Sequence, residues 1–149
     1  MHRNALVSSC LLGLATRYDG SSNFCQPVFD YLHKHQLTPI PVCPEQLAGM
    51  PTPRPKCWFK AGSGETLLAA EGSLVNEMGE DVSILFLQGA NESLKLAQLT
   101  DSRIAILKQR SPSCGSQTIY RNGELVKGSG VTAARLRENG IQVLGEEDL

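Results

Sequence analysis

The sequence predicts an α/β fold built on a mostly parallel sheet flanked by helices. Two observations carry this. Short apolar runs of strand type recur along the chain, and helical patterns separate most of them. Strands that alternate with helices pair in parallel through right-handed crossovers. The length of 149 residues suits a single domain with its own core, so residues 1–149 are read as one unit.

Ala5–Ser9 is the first strand candidate, a short apolar run. Pro27–His35 follows as a helix, with Val28, Phe29 and Leu32 on one face and Pro27 in the first turn, where its missing N–H costs nothing. Thr38–Cys43 is a second strand, and Pro39 and Pro41 place it at a sheet edge or at a strand start. Gly49–Lys56, with Pro51, Pro53 and Pro55, is a stiff extended loop. Lys60–Glu77 is mixed and glycine-bearing and reads as a hairpin. Val82–Leu99 reads as a helix capped by Asp81, because Val82, Leu85, Phe86, Gly89, Ala90 and Ala97 fall on one face. Gly89 inside that helix costs about 1 kcal/mol against Ala, which a tight packing contact would justify. Ile104–Leu107 is a buried strand, and Thr118–Val126 a hairpin turning at Asn122-Gly123. Val131–Asn139 is a helix closed by Gly140, and Ile141–Leu144 is the last strand.

Composition removes several function classes. Apolar residues make up 41% and charged residues 19%, unlike a disordered or fibrous chain. Lys and Arg total 14 against 15 for Asp and Glu, a net charge of −1. Such a chain has no general attraction for nucleic acid or an anionic membrane. No apolar stretch approaches the ~20 residues of a membrane helix. The apolar start Ala5-Leu6-Val7 breaks at Ser8-Ser9-Cys10, and Arg17 and Asp19 follow where a cleavage site would lie, so no targeting segment is read. Cys10, Cys25, Cys43, Cys57 and Cys114 are odd in number, widely spaced and without a CxxC. Together with the missing leader they indicate a reducing, cytoplasmic setting and thiols that are buried, reactive or metal-bound.

Three of the five share a structural address. Cys10 follows the first strand, Cys43 ends the second, and Cys114 lies just beyond Ile104–Leu107. Ligands of open α/β sheets bind outside the carboxyl ends of the strands, so three thiols can converge in one crevice. Soft thiolates suit zinc, copper(I) or an iron–sulfur cluster. The turn Ser111-Pro112-Ser113-Cys114-Gly115 is expected to aim backbone N–H groups at an anion. Cys43-Pro44-Glu45 sets a carboxylate two residues after a thiol.

The stretches Ser9-Cys10-Leu11-Leu12-Gly13, Arg17-Tyr18-Asp19-Gly20, Val42-Cys43-Pro44-Glu45, Pro51-Thr52-Pro53-Arg54, Gly89-Ala90, Ser111-Pro112-Ser113-Cys114-Gly115 and Gly128-Ser129-Gly130-Val131-Thr132 span nearly the whole chain in order. Together they resemble an iron–sulfur desulfidase family, formerly a domain of unknown function, that includes thiouracil desulfidase. The resemblance implies a Rossmann-like fold and a 4Fe–4S cluster held by three cysteines, which map onto Cys10, Cys43 and Cys114. It implies two catalytic helpers, Glu45 and Ser111, and a thiolated pyrimidine (2- or 4-thiouracil) converted to uracil and hydrogen sulfide. Cys25 and Cys57 fall on no family motif and are set outside the site. Gln109-Arg110 departs from the pattern, which has a more acidic or small residue before Ser111.

Blander readings stand beside each of these. A single cysteine is commonly a packing residue, Glu45 a helix-start carboxylate, and Ser111 a turn residue before proline. Arg54 either contacts substrate or braces its loop, while Arg17 and Asp19 read as turn and ion-pair residues. His2, His33 and His35 belong to the surface. Gly128–Gly130 is too short for a phosphate loop and more simply packs a helix start. Competing functions are a non-enzymatic thiolate metal or sulfur carrier, which needs neither Glu45 nor Ser111, and a tRNA thiouridine desulfidase, whose known relatives carry an additional domain. Monomer and homodimer are both open.

Overall fold

A parallel sheet of four strands carries the first part of the architecture. It is formed by β1 (Arg3–Ser8), β2 (Leu37–Val42), β5 (Ile104–Leu107) and β8 (Gln142–Gly145), in the order β2-β1-β5-β8. The computed structural model describes residues 3–149; His2, expected at the surface, lies outside the described residues. β2 is an edge strand, so Pro39 and Pro41 remove no ladder bond that a second neighbour would need. Ser8 pairs with Val42, and Val7 pairs with Ile106, so the carboxyl ends of β1, β2 and β5 are level.

Both faces of this sheet are covered. On one face Ala5, Val7 and Ile106 pack with Val28 and Leu32 of α1 (Gln26–Lys34). On the other, Leu6, Ala105 and Leu107 pack with Ala97 of α4 (Ser83–Leu99) and with Ala133 and Leu136 of α5 (Val131–Glu138). Strands buried on both faces read as near-continuous apolar runs, as Ala5–Val7 and Ile104–Leu107 do.

The expected hairpin at Lys60–Glu77 is corrected. β3 (Cys57–Ala61) and β4 (Ser73–Asn76) do pair antiparallel, but the five-residue helix α3 (Gly64–Leu68) lies between them. Ser63 starts α3 in a capping box with Thr66. These strands join β6 (Thr118–Arg121) and β7 (Glu124–Lys127) in a second, mixed sheet of order β4-β3-β6-β7, which the sequence reading did not foresee. Its inner face, through Phe59, Leu74 and Ile119, packs on Phe86 and Ala90 of α4 and on Val131 of α5. The front half of α4 thus serves the second sheet and the rear half the first.

The turn at Asn122-Gly123 has both residues at positive φ (51° and 83°), as a two-residue hairpin requires. Asp81 caps α4 one residue earlier than a standard N-cap: its Oδ1 accepts the Ser83 N–H at 2.8 Å, while Val82 holds the cap position. Gly89 is where two backbones touch. A Cβ there would stand 2.4 Å from the carbonyl oxygen of Pro44. Gly89→Ala gains about 1 kcal/mol of helix propensity but forces backbone apart in a packed site, which costs about 1–3 kcal/mol. The clash is with main chain and cannot relax through a rotamer, so it prevails. A Tm lower by about 2–8 °C in thermal unfolding is expected; an unchanged or raised Tm would show that α4 has room to shift.

Candidate active site

The level strand ends open into one cavity of about 850 Å³, and Cys10, Cys43, Glu45, Arg54, Ser111 and Cys114 all line it. Cys10 is on the single 3₁₀ turn Ser9–Leu12 that follows β1. Cys43 directly follows β2 and precedes α2 (Pro44–Leu47), a one-turn helix that carries Glu45 in its first turn. The contact of Pro44 with Gly89 fixes that corner against α4. Cys114 belongs to the loop after β5 and is buried.

That loop is held from three sides. The N-terminus of α5 donates into it: the Val131 N–H bonds to Pro112 O at 2.9 Å, and the N–H groups of Thr132 and Ala133 to Ser113 O at 2.8 and 3.1 Å. Gly130 N–H reaches Gly115 O at 2.8 Å, and a Cβ on Gly130 would lie 2.4 Å from the Ser113 carbonyl carbon. The segment Gly128–Thr132 therefore packs a helix start, against the cysteine turn. Gln109, the departure from the family pattern, holds the loop from within. Its buried Oε1 accepts the N–H groups of Ser116, Gln117 and Thr118 at 3.0–3.2 Å, and its Nε2 donates to Ser116 Oγ at 2.7 Å. The neighbouring cations are neutralised by the C-terminal turn, Lys108 by Glu146 at 3.0 Å and Arg110 by Glu147 at 2.7 Å.

The expectation of an open N–H nest at Ser111–Gly115 is overturned. Ser111 Oγ accepts the N–H groups of Ser113 and Cys114 at 3.2 and 3.1 Å, and Ser111 O accepts that of Gly115 at 2.9 Å. A serine at the head of a turn captures the amides that follow it. The turn orders Cys114, and the N–H groups of Ser113, Cys114 and Gly115 are spent within it rather than offered to an anion. With both lone pairs engaged, Ser111 acts as a donor.

Glu45 is anchored at both oxygens. Arg54 Nη2 is 3.0 Å from Oε2, with the arginine side chain 5% exposed, and the Ser113 hydroxyl donates to Oε1. Arg54 also donates to Thr16 O and Thr52 Oγ1, both at 2.9 Å. Of the two readings of Arg54, the brace is the one these contacts describe. Ser111 and Ser113 hydroxyls are 3.1 Å apart, so an O–H chain runs Ser111–Ser113–Glu45. Sequence reasoning passed over Ser113, because its partner is 68 residues away. Asp19 closes a turn, accepting Ser21 N–H and O–H, which hold its carboxyl below the usual range. Arg17 lies 5.7 Å over the Tyr18 ring. His33 and His35 are exposed.

The donor set suits a soft, positively charged group. Burial pushes the thiols of Cys10, Cys43 and Cys114 up, most strongly for fully buried Cys114, and the Glu45 charge adds to this at all three. A cationic centre supplies the positive charge that thiolates need here. Each sulfur also has a polar neighbour: the Asn23 side chain at Cys10, Arg54 Nη2 at 3.9 Å from Cys43 Sγ, and Ser113 Oγ at 3.6 Å from Cys114 Sγ. Among the described residues no three His, Cys, Asp or Glu side chains stand close enough to hold a single metal ion. Thiols spread around one cavity fit a multi-iron cluster, where each binds a different iron, better than one zinc or copper(I) ion. Cys25 stays outside, at the N-cap of α1. Cys57 does not: the sequence reading set it aside, yet β3 brings it to the cavity wall, where burial and the Glu45 charge push its thiol up to about 11.

A parallel α/β sheet with three thiols and an anchored carboxylate at its carboxyl edge defines a thiolate-rich enzyme site. The 2-thiouracil desulfurase family model matches residues 5–148, and the chain belongs to that family. An uncharacterized protein of Bacillus subtilis, YbbK, is 39% identical over 147 residues, covering 97% of this chain and 96% of its own. The solved structure of TudS, a 4Fe–4S-dependent thiouracil desulfidase, superposes with a TM-score of 0.81 at 38% identity, covering 99% of this chain and 93% of that one.

Proposed function

We propose that the chain is a 4Fe–4S-dependent desulfidase that converts a thiolated pyrimidine, 2- or 4-thiouracil, and water to uracil and hydrogen sulfide. Cys10, Cys43 and Cys114 hold the cluster. The observation that carries the reading is that these thiols share a cavity with a carboxylate fixed by Arg54 and Ser113. The family match over residues 5–148 supports treating the chain as one functional unit. Cys10, Cys43 and Cys114 would hold the cluster by three thiolates, and its iron would supply Lewis-acid polarisation of a thiocarbonyl carbon.

The chain's own residues handle water and protons. Each Glu45 oxygen retains a lone-pair site beyond its existing partner, so the carboxylate can take a proton from the water that attacks the ring carbon. Arg54 and Ser113 keep that carboxylate from rotating away. With substrate bound, the single Ser111 hydroxyl proton turns from Ser113 to a ring nitrogen, while Ser113 keeps its own proton on Glu45. The C–S bond breaks, the carbon keeps the water oxygen, and sulfur leaves as hydrosulfide. One water is consumed, and no electron is gained or lost.

Five free thiols and the family's activity support a cytoplasmic setting and a small-molecule substrate. No helix among the described residues is long and apolar enough to cross a membrane. The test is a mass balance. Chain reconstituted anaerobically with iron and sulfide should release sulfide and uracil in equal amounts from thiouracil. Uracil without sulfide, or neither product, would refute the reading.

A further inference from the structure

The mechanism uses residues at the strand ends of the first sheet and gives no role to those of the second sheet that also line the cavity. Phe59 on β3 is in parallel register with Arg121 on β6, so one residue back Trp58 lies beside Tyr120. Phe59 and Ile119 face the core, and the alternation of strands puts Trp58 and Tyr120 on the other face. Trp58 pairs across to Val75 and Tyr120 to Leu125, which makes an apolar row over all four strands. The two aromatic rings in its middle both line the cavity that holds the thiols and Glu45. Trp58 is half-buried and Tyr120 is 42% exposed, so each keeps ring surface open to a ligand.

We infer that Trp58, with Tyr120 beside it, is the stacking platform for the pyrimidine ring of the substrate. This rests on the desulfidase reading above and adds the residue that grips the base. A thiopyrimidine is a flat ring whose edge carries the reacting sulfur. Stacking holds such a ring by its face and leaves the edge free, so the sulfur can point at the thiols while Ser111 meets a ring nitrogen. An aromatic face is tolerant of ring substituents, because every base has a π-surface. Trp58 therefore contributes affinity for the ring as a class, while the choice of thiolated position falls to the polar residues of the cavity.

Trp58 is the sole tryptophan of the chain, so its emission reports on this site alone. In the cluster-loaded protein, uracil added as a non-reacting ligand and read by excitation at the red edge of the indole band should change Trp58 emission in a saturable way. In kinetics, Trp58→Leu keeps apolar bulk without a π-face and should raise the KM for thiouracil about 5- to 150-fold, the range that loss of base–aromatic stacking covers. The loss should fall on KM rather than kcat, as for binding shared by ground and transition states. Trp58→Phe should restore most of it. Iron content and Tm of each variant show that fold and cluster are intact, which a half-exposed position permits. A KM for Trp58→Leu within about twofold of the unchanged chain, or emission insensitive to saturating uracil, overturns the platform. If the unchanged chain releases no sulfide, the desulfidase reading fails, and the emission titration still decides whether the base stacks on Trp58.

Discussion

Replacing Cys10, Cys43 or Cys114 by serine is expected to abolish iron binding and turnover together, whereas Cys25→Ser and Cys57→Ser keep both. The first three follow adjacent, level strand ends and share one cavity. A serine hydroxyl is a poor ligand for iron that prefers soft thiolate, so each change removes one of three anchors. Cys57 is the stringent control, because it lines the same cavity from the other sheet. If lining the cavity were enough to ligate, Cys57→Ser would lose iron too. Iron per chain after anaerobic reconstitution separates the outcomes. Full iron retention in Cys114→Ser, or loss in Cys57→Ser, would assign the wrong thiols.

Glu45→Gln should retain cluster and substrate binding but turn over about 10²–10⁴-fold more slowly, the usual contribution of a general base, or roughly 3–5 kcal/mol in the barrier. Gln keeps the length and an oxygen for Arg54, but its amide takes no proton from water. Arg54 is not orphaned, since its bonds to Thr16 O and Thr52 Oγ1 persist. The bland role, a carboxylate in the first turn of α2, is worth only about 0.3–1 kcal/mol of stability and predicts a nearly unchanged rate. Sulfide release at saturating thiouracil, normalised to intact cluster, distinguishes orders of magnitude from a few-fold. A variant within a few-fold of the parent would move the base elsewhere.

The first sheet was legible because its strands are apolar on both faces and end at punctuating residues. Cys43-Pro44 marks a strand end and a helix start in two residues, and the unexpected Gly89 in a helical pattern pointed to the close contact found with Pro44. The second sheet was not legible. β3 and β6 meet over a sequence separation of about 60 residues through a single register pair, Phe59 with Arg121, and α3 interrupts what looks like a local hairpin. Local pattern carries no information on such long-range pairing. The same gap hid Cys57 and Trp58, whose place on the cavity wall depends on which sheet β3 joins. Ser113 and Gln109 were missed for another reason. Hydroxyls and amides signal turns in sequence, but which atoms they satisfy is settled only when the loop folds. The nest at Ser111–Gly115 failed on this point: the residue that begins the turn consumes the amides itself.

We propose that sulfur removal belongs to a cluster held in this cavity and to water activated beside it. The measurement is sulfide released from thiouracil, under strict anaerobiosis, by one preparation assayed as reconstituted, after iron removal by chelation, and after iron and sulfide are restored. The account predicts about four irons per chain, release with equal uracil, loss of release on chelation with far-UV circular dichroism retained, and recovery on restoration. Sustained sulfide release by the iron-free chain would contradict it.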